Sequence, residues 1–218
     1  MAVSISRKRE RALALNEQAI TKALDWAYEK AVTGGIPGTS DAYELAEEFL
    51  QKKGSSDDQI NALIRWQNTK SATSGFLTGL GGGVTLPAAI PANLASVLYI
   101  QLRMIAAIAI MSGRDVKEDQ VRTMAYLCLC GNGITDILKD VGIVVGKKAA
   151  QSALRNLSGK VLININKKVG FRLLTKFGTK GVINLSKMIP LVGGVTGAVF
   201  DGVSTHIVGN TARKLFAE

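Results

Sequence analysis

The chain has 218 residues, of which 47% are hydrophobic and 20% charged, so it can bury a substantial core and is not intrinsically disordered. Its two cysteines exclude a disulfide scaffold, and its one histidine leaves little material for a metal site. We therefore expect neither a metal nor a cofactor. Basic residues outnumber acidic residues by 27 to 17, which gives a net charge of +10.

Residues 1–70 predict three amphipathic helices. Apolar residues recur at helical spacing from about residue 6 to residue 32, and the run TGGIPGTS then breaks the first helix. Either Ser40 or Asp41 can cap a second helix, which ends near Gly54. Acidic residues at positions 57 and 58 open a third helix, where they complement its dipole. The first helix carries polar residues throughout, so we do not interpret it as an export signal.

The sequence changes character near residue 71. Residues 71–102 contain no formal charge, and glycines and prolines interrupt the apolar run until Pro91. The segment NLASVLYIQLRMIAAIAIMSG follows and predicts one helix of about five turns. The apolar run from Leu86 to Met111, which includes most of this helix, is long enough to cross a bilayer. Arg103, near its middle, would be costly in lipid, and a buried central helix explains the segment at least as well. Three interpretations of this helix therefore stay open: it spans a membrane, it contacts a membrane shallowly, or it is buried in the protein core.

The remainder of the chain also predicts helices. Residues 117–130, 132–153 and 191–216 are consistent with helices, and we interpret VLINI at 161–165 as helix because no partner strand appears nearby. The sequence thus predicts an all-α protein, a compact multi-helix bundle with apolar hairpin segments rich in glycine and proline. Residues 1–70 form its N-terminal part and residues 71–218 the larger part of one continuous domain.

A polar stripe runs along the long apolar helix. Asn93, Ser96, Tyr99 and Arg103 share one side of it, and a buried guanidinium requires acceptors. Few carboxylates occur in the C-terminal two-thirds of the chain. We therefore expect Arg103 to pair with Asp136 or Asp140 inside the bundle.

Asp136 and Asp140 could alternatively serve as acid–base groups. Together with His206 they are the candidates for a lipid-acting hydrolase. No nucleophile and no set of metal ligands accompanies them, so the sequence favours a protein that is not an enzyme.

The whole charge imbalance lies in residues 141–200, which contain ten basic residues and no acidic one. Such a segment points to an anionic partner, and lipid headgroups suit it better than nucleic acid, because it offers few aromatic residues for stacking on bases. Its candidate binding residues are Lys147, Lys148, Arg155, Lys160, Lys167, Lys168, Arg172, Lys176, Lys180 and Lys187.

The spacing within this segment adds a geometric argument. Four of the basic residues, from Lys168 to Lys180, step by four and so share one side of a helix. Like charges at this spacing destabilise an isolated helix, so the row is best explained by fixed negative charge outside it. An apolar row that steps by four from Leu157 to Phe177 would face the core.

Two stretches together resemble the EcsC protein family. They are LPAAIPANLASVLYIQLRMIAAIAIMSGRDV at 86–116 and KMIPLVGGVTGAVFDGVSTHIVGNTARKLF at 187–216, so the resemblance covers about residues 71–216. The family's bacterial namesake is encoded with an ABC transporter. The resemblance implies a helical protein that associates with a membrane. It identifies no catalytic residue in this chain.

These observations predict a non-enzymatic helical protein that docks peripherally on the cytoplasmic face of a membrane. Its expected partner is anionic phospholipid or a membrane protein complex of the transporter type, with self-association possible and nucleic acid as a lesser alternative. A second alternative is a pore-forming effector in which residues 71–111 insert into the bilayer. The third is the hydrolase described above.

Overall fold

The computed structural model describes residues 17–72, 92–143, 157–177 and 193–217, and within these ranges it contains helices and no strand. This confirms the predicted all-α class. A 3-10 turn at Gly131–Gly133 joins the fifth and sixth helices. The eight helices of these described ranges are α1 (Glu17–Thr33), α2 (Ala42–Leu50), α3 (Ser56–Ala72), α4 (Ala92–Met111), α5 (Asp119–Cys128), α6 (Ile134–Asp140), α7 (Gly159–Phe177) and α8 (Gly193–Phe216).

Local sequence signals explain where the first helices end and begin. After α1, Gly34 and Gly35 adopt φ values of 75° and 90°, which a residue with a Cβ rarely reaches. Asp41 then caps α2, as its Oδ1 accepts hydrogen bonds from the backbone nitrogens of Tyr43 and Glu44. The Glu44 carboxylate accepts in return from the backbone nitrogen of Asp41, which completes a capping box. Of the two caps the sequence allowed, the protein uses Asp41.

Helix α4 forms the centre of the bundle. It packs against α1, α2, α3, α5 and α8. Its window Leu94–Met111 is apolar enough to cross a membrane, with a mean hydropathy of 1.9, yet 89% of it is buried against the rest of the protein. In this fold the helix is therefore a core element, one of the three alternatives that the sequence leaves open.

One hydrophobic core joins the two ends of the sequence. Helix α8 packs on α3 and α4, and α7 packs on α1 and α5, so residues on both sides of position 70 share the same buried cluster. At Gly209 of α8 the missing side chain allows a close approach to Ile64 of α3. The predicted helix at 161–165 lies inside α7. The apolar segment at 73–91 and residues 144–156 lie outside the described ranges.

Candidate functional site

Helix α7 carries the part of the basic segment that the structure describes. The side chains of Lys160, Lys167, Lys168 and Arg172 are exposed on it, and the backbone of Lys176 lies in its last turn. The other predicted binding residues lie outside the described ranges: Lys147, Lys148, Arg155, Lys180 and Lys187. The structure therefore tests the surroundings of four of the candidates directly.

The inner side of α7 is apolar and faces α1 and α5. Ile165, Val169 and Leu173 of the predicted row are buried, and Leu162, which the row did not include, is buried with them. Gly170 lies against α1, since a Cβ there would be 3.5 Å from Thr21 Oγ1. These contacts fix which side of α7 remains exposed.

The exposed side of α7 combines large apolar and cationic side chains. Ile163 and Phe171 are 58% and 57% exposed, the two highest values among the exposed large hydrophobic residues of the described ranges. Lys167 lies halfway between them at a spacing of four, and Lys160 lies one turn before Ile163. Neither lysine has an ion-pair partner among the residues the structure describes. Sequence reasoning missed this arrangement, although the spacing of residues 163, 167 and 171 could have shown it.

The next row of basic residues is bound to the protein itself. Lys168 Nζ lies 3.5 Å from Asp140 Oδ2, and both Arg172 Nη atoms lie 3.5 Å from Asp136 Oδ2. The Arg172 guanidinium packs directly over Gly133, where any side chain would displace it. The first two members of the predicted row of four, Lys168 and Arg172, therefore contact carboxylates of α6. At these two positions the negative charge that was expected from an external partner comes from the protein itself.

The predicted pairing of Arg103 with Asp136 or Asp140 is wrong. Arg103 is 2% exposed, as expected for a residue inside the bundle, but both carboxylates are exposed and face α7. Arg103 Nη1 instead donates to the carbonyl oxygen of Ser40 at 2.9 Å, and Nη2 donates to Gln67 Oε1 at 3.4 Å. The physical reason is that α6 is a short peripheral helix, whereas carbonyl and amide oxygens lie close to α4.

The environment of Arg103 is polar and buried. Burial lowers the pKa of its guanidinium from the ordinary value, while Tyr99 and Glu48 act in the opposite direction. The Arg103 guanidinium carbon lies 5.7 Å from the centre of the Tyr99 ring, and the Tyr99 hydroxyl shares a 2.7 Å hydrogen bond with Thr39 Oγ1. This cluster ties α4 to the segment that precedes α2.

The three candidates for hydrolysis have separate partners. The amide nitrogens of Asn68 and Asn210 lie 3.0 and 2.9 Å from the Nδ1 and Nε2 atoms of His206 on α8. Asp136 and Asp140 are held by α7, as described above. Within the described residues His206 contacts neither Asp136 nor Asp140, so it forms no acid–base pair with either carboxylate.

Of the two cysteines, Cys130 lies beside the contact between α6 and α7. Cys128 is buried, and burial raises the pKa of its thiol, whereas Cys130 is half-buried. Within the described ranges no three His, Cys, Asp or Glu side chains are grouped so that they could hold a metal ion.

The comparison with known proteins supports the resemblance and extends it. The family model of the EcsC protein family matches residues 16–218, so the match also covers helices α1 to α3 and not only residues 71–216. No curated protein and no solved structure matches the chain. The chain belongs to the EcsC protein family.

Proposed function

We propose that this protein docks peripherally on an anionic membrane, on its cytoplasmic face, through the exposed side of α7. The observation that carries the proposal is the row of Ile163, Lys167 and Phe171, with Lys160 one turn before it. Apolar side chains that are flanked by lysines on one helix face suit the boundary between headgroups and acyl chains. The protein would act by binding, without a chemical reaction.

The charge distribution supports lipid as the partner. Residues 141–200 contain ten basic residues and no acidic one, so within this segment no carboxylate opposes an anionic surface. Within the described ranges Lys160 and Lys167 have no ion-pair partner, whereas Lys168 and Arg172 do. Each lysine near an anionic leaflet contributes about 1 kcal/mol, so the two together favour binding by about 2 kcal/mol, or roughly thirtyfold.

Flotation with vesicles tests this proposal. The native protein should float with vesicles that contain phosphatidylglycerol, and increasing salt should release it because exposed charges are screened. Lys160→Gln with Lys167→Gln should weaken binding by roughly thirtyfold. The double variant Ile163→Ser with Phe171→Ser should also weaken binding, since each of its two substitutions removes apolar surface from the lipid boundary.

Matched variants elsewhere on the surface provide the controls. Lys22→Gln with Lys53→Gln removes two exposed charges from other parts of the protein, and Leu50→Ser removes a side chain that is 44% exposed at the end of α2. Both control proteins should bind like the native protein. Equal binding to vesicles of phosphatidylcholine alone, or an equal loss in the controls, would contradict docking through α7.

Release of a trapped dye separates docking from insertion. Because residues 94–111 form the core of the fold, docking through α7 leaves α4 in place and predicts no release beyond that seen with the control variants. Rapid release at protein concentrations that saturate binding would instead support the pore-forming alternative.

A further inference from the structure

A second candidate site lies beneath α7, apart from the lysine row. A cavity of about 600 Å³ opens between the end of α5, helix α6 and helix α7. Its volume falls within the range of about 300–1,000 Å³ that is typical of small-molecule sites. Of its lining residues, Phe171 also belongs to the row proposed for docking, whereas the others lie outside that row.

The lining of the cavity has two different parts. Leu129, Ile137 and Leu173 are each no more than 3% exposed, and they provide an apolar floor. Phe171 extends this apolar surface towards the rim, where it is 57% exposed. The cations Lys168 and Arg172 also line the cavity. An apolar floor beneath a cationic rim is complementary to a molecule with an acyl chain and an anionic head.

The ion pairs at the rim are open to exchange. Asp136 and Asp140 hold Arg172 and Lys168 at 3.5 Å, and the side chains of these pairs are between 44% and 66% exposed. Exposed pairs of this kind contribute little, because water screens them and holding the side chains costs entropy. A phosphate offers more acceptor oxygens to a guanidinium than one carboxylate oxygen does, so it can replace these partners.

We propose that this cavity binds one amphipathic anion, an apolar chain that ends in a phosphate. Lys168 and Arg172 contact the phosphate, and the chain lies on Leu129, Ile137 and Leu173. Asp136 and Asp140 occupy the two cations in the absence of the ligand and therefore compete with it. A phospholipid and a free single-chain phosphate share this chemistry.

Cys130 provides a reporter inside the cavity. It lines the cavity and is half-buried, whereas Cys128 is fully buried, and the chain has two cysteines in all. A small maleimide should therefore alkylate Cys130 selectively in the native protein, and mass spectrometry follows the rate. Decyl phosphate, below its micelle concentration and without vesicles, should slow this alkylation.

Three variants give the expected pattern. Arg172→Gln should raise the decyl phosphate concentration needed for half-protection by about tenfold, because a charge-assisted hydrogen bond to the phosphate is lost. Asp136→Asn with Asp140→Asn should lower that concentration, because the internal competitors are neutralised. Lys139→Gln, which changes an exposed α6 residue that does not line the cavity, should leave it unchanged. If the two Asp residues served stability alone, their neutralisation would not strengthen protection.

The contrary outcomes are also specific. Equal protection by decyl maltoside would overturn the anionic part of the proposal, and equal protection by inorganic phosphate would overturn the apolar part. Absence of protection by decyl phosphate, or a Cys130 that reacts only after denaturation, would overturn the site itself. The experiment contains no membrane, so its failure leaves the docking proposal standing. Vesicles of phosphatidic acid that protect Cys130 in a second series would identify a phospholipid as a source of the ligand.

Discussion

Replacing Arg103 by methionine is expected to lower the free energy of unfolding by about 2–6 kcal/mol, because two buried or part-buried acceptors lose their donor at about 1–3 kcal/mol each. The acceptors are the Ser40 carbonyl oxygen and the Gln67 amide oxygen, which the guanidinium contacts at 2.9 and 3.4 Å. Methionine retains much of the apolar part of the arginine side chain, so the loss of stability reports the contribution of the guanidinium group. Urea denaturation followed by circular dichroism measures it.

Two further variants distinguish this account from a buried ion pair with α6. Arg103→Asp with Asp136→Arg should be no more stable than Arg103→Asp alone, because the Asp136 carboxylate faces Arg172 at the surface. Asp136→Asn alone should change stability by less than about 1 kcal/mol, as is typical of exposed ion pairs. Recovery in the double variant would restore the interpretation that the structure contradicts.

Alanine at Gly209 is expected to lower the free energy of unfolding by about 1–2 kcal/mol, since overpacking outweighs the gain in helix propensity. An added Cβ would lie 2.9 Å from Ile64 Cγ1, 3.0 Å from its Cγ2 and 3.2 Å from Met104 Cε. Ile64 is 2% exposed and branched at Cβ, so it has little freedom to move aside. Thermal and urea unfolding should both show the loss.

Gly170 provides a matched control within the described helices. It is also buried in a helix interior, but a Cβ there would meet Thr21 Oγ1 at an ordinary 3.5 Å. Gly170→Ala should therefore raise stability by about 0.5–1 kcal/mol, because alanine restricts the unfolded chain and favours the helix. A stabilised Gly209→Ala protein would show that α8 does not approach α3 as closely as described.

Much of the helical framework could be predicted from the sequence, because its signals are local. The glycines after α1 and the capping pair of Asp41 and Glu44 act over a few residues, so their effect is visible without a fold. The long apolar run of α4 likewise permitted core burial as one of its readings. The sequence could not predict how deeply α4 is buried, since the helices that cover it come from both ends of the chain.

The partners of charged residues could not be predicted in the same way. Arg103 bonds to residues that are 63 and 36 positions away, and its acceptors are a carbonyl oxygen and an amide rather than the carboxylate that charge alone suggested. Arg172 meets Asp136 across 36 positions. Spacing rules describe neighbours on one helix, whereas these contacts depend on how helices are placed against each other.

The internal pairs also refine the account of the basic segment. The sequence predicts all ten basic residues as contacts for an anionic surface and singles out the row from Lys168 to Lys180, but Lys168 and Arg172 already have carboxylates nearby. Among the described residues no carboxylate pairs with Lys160 or Lys167, and these lysines lie beside the two most exposed large apolar side chains that the structure describes. The row considered for lipid contact therefore shifts by about one residue around α7.

The most direct measurement places one reporter on that row. Ile163→Trp introduces an indole at a position that is 58% exposed, outside the cavity lining. With vesicles that contain phosphatidylglycerol and lipids brominated along their acyl chains, its fluorescence should be quenched more than that of the native protein, which contains only Trp26 and Trp66. Leu50→Trp, on α2, should show no such increase. Quenching at position 50 without quenching at position 163 would contradict docking through α7.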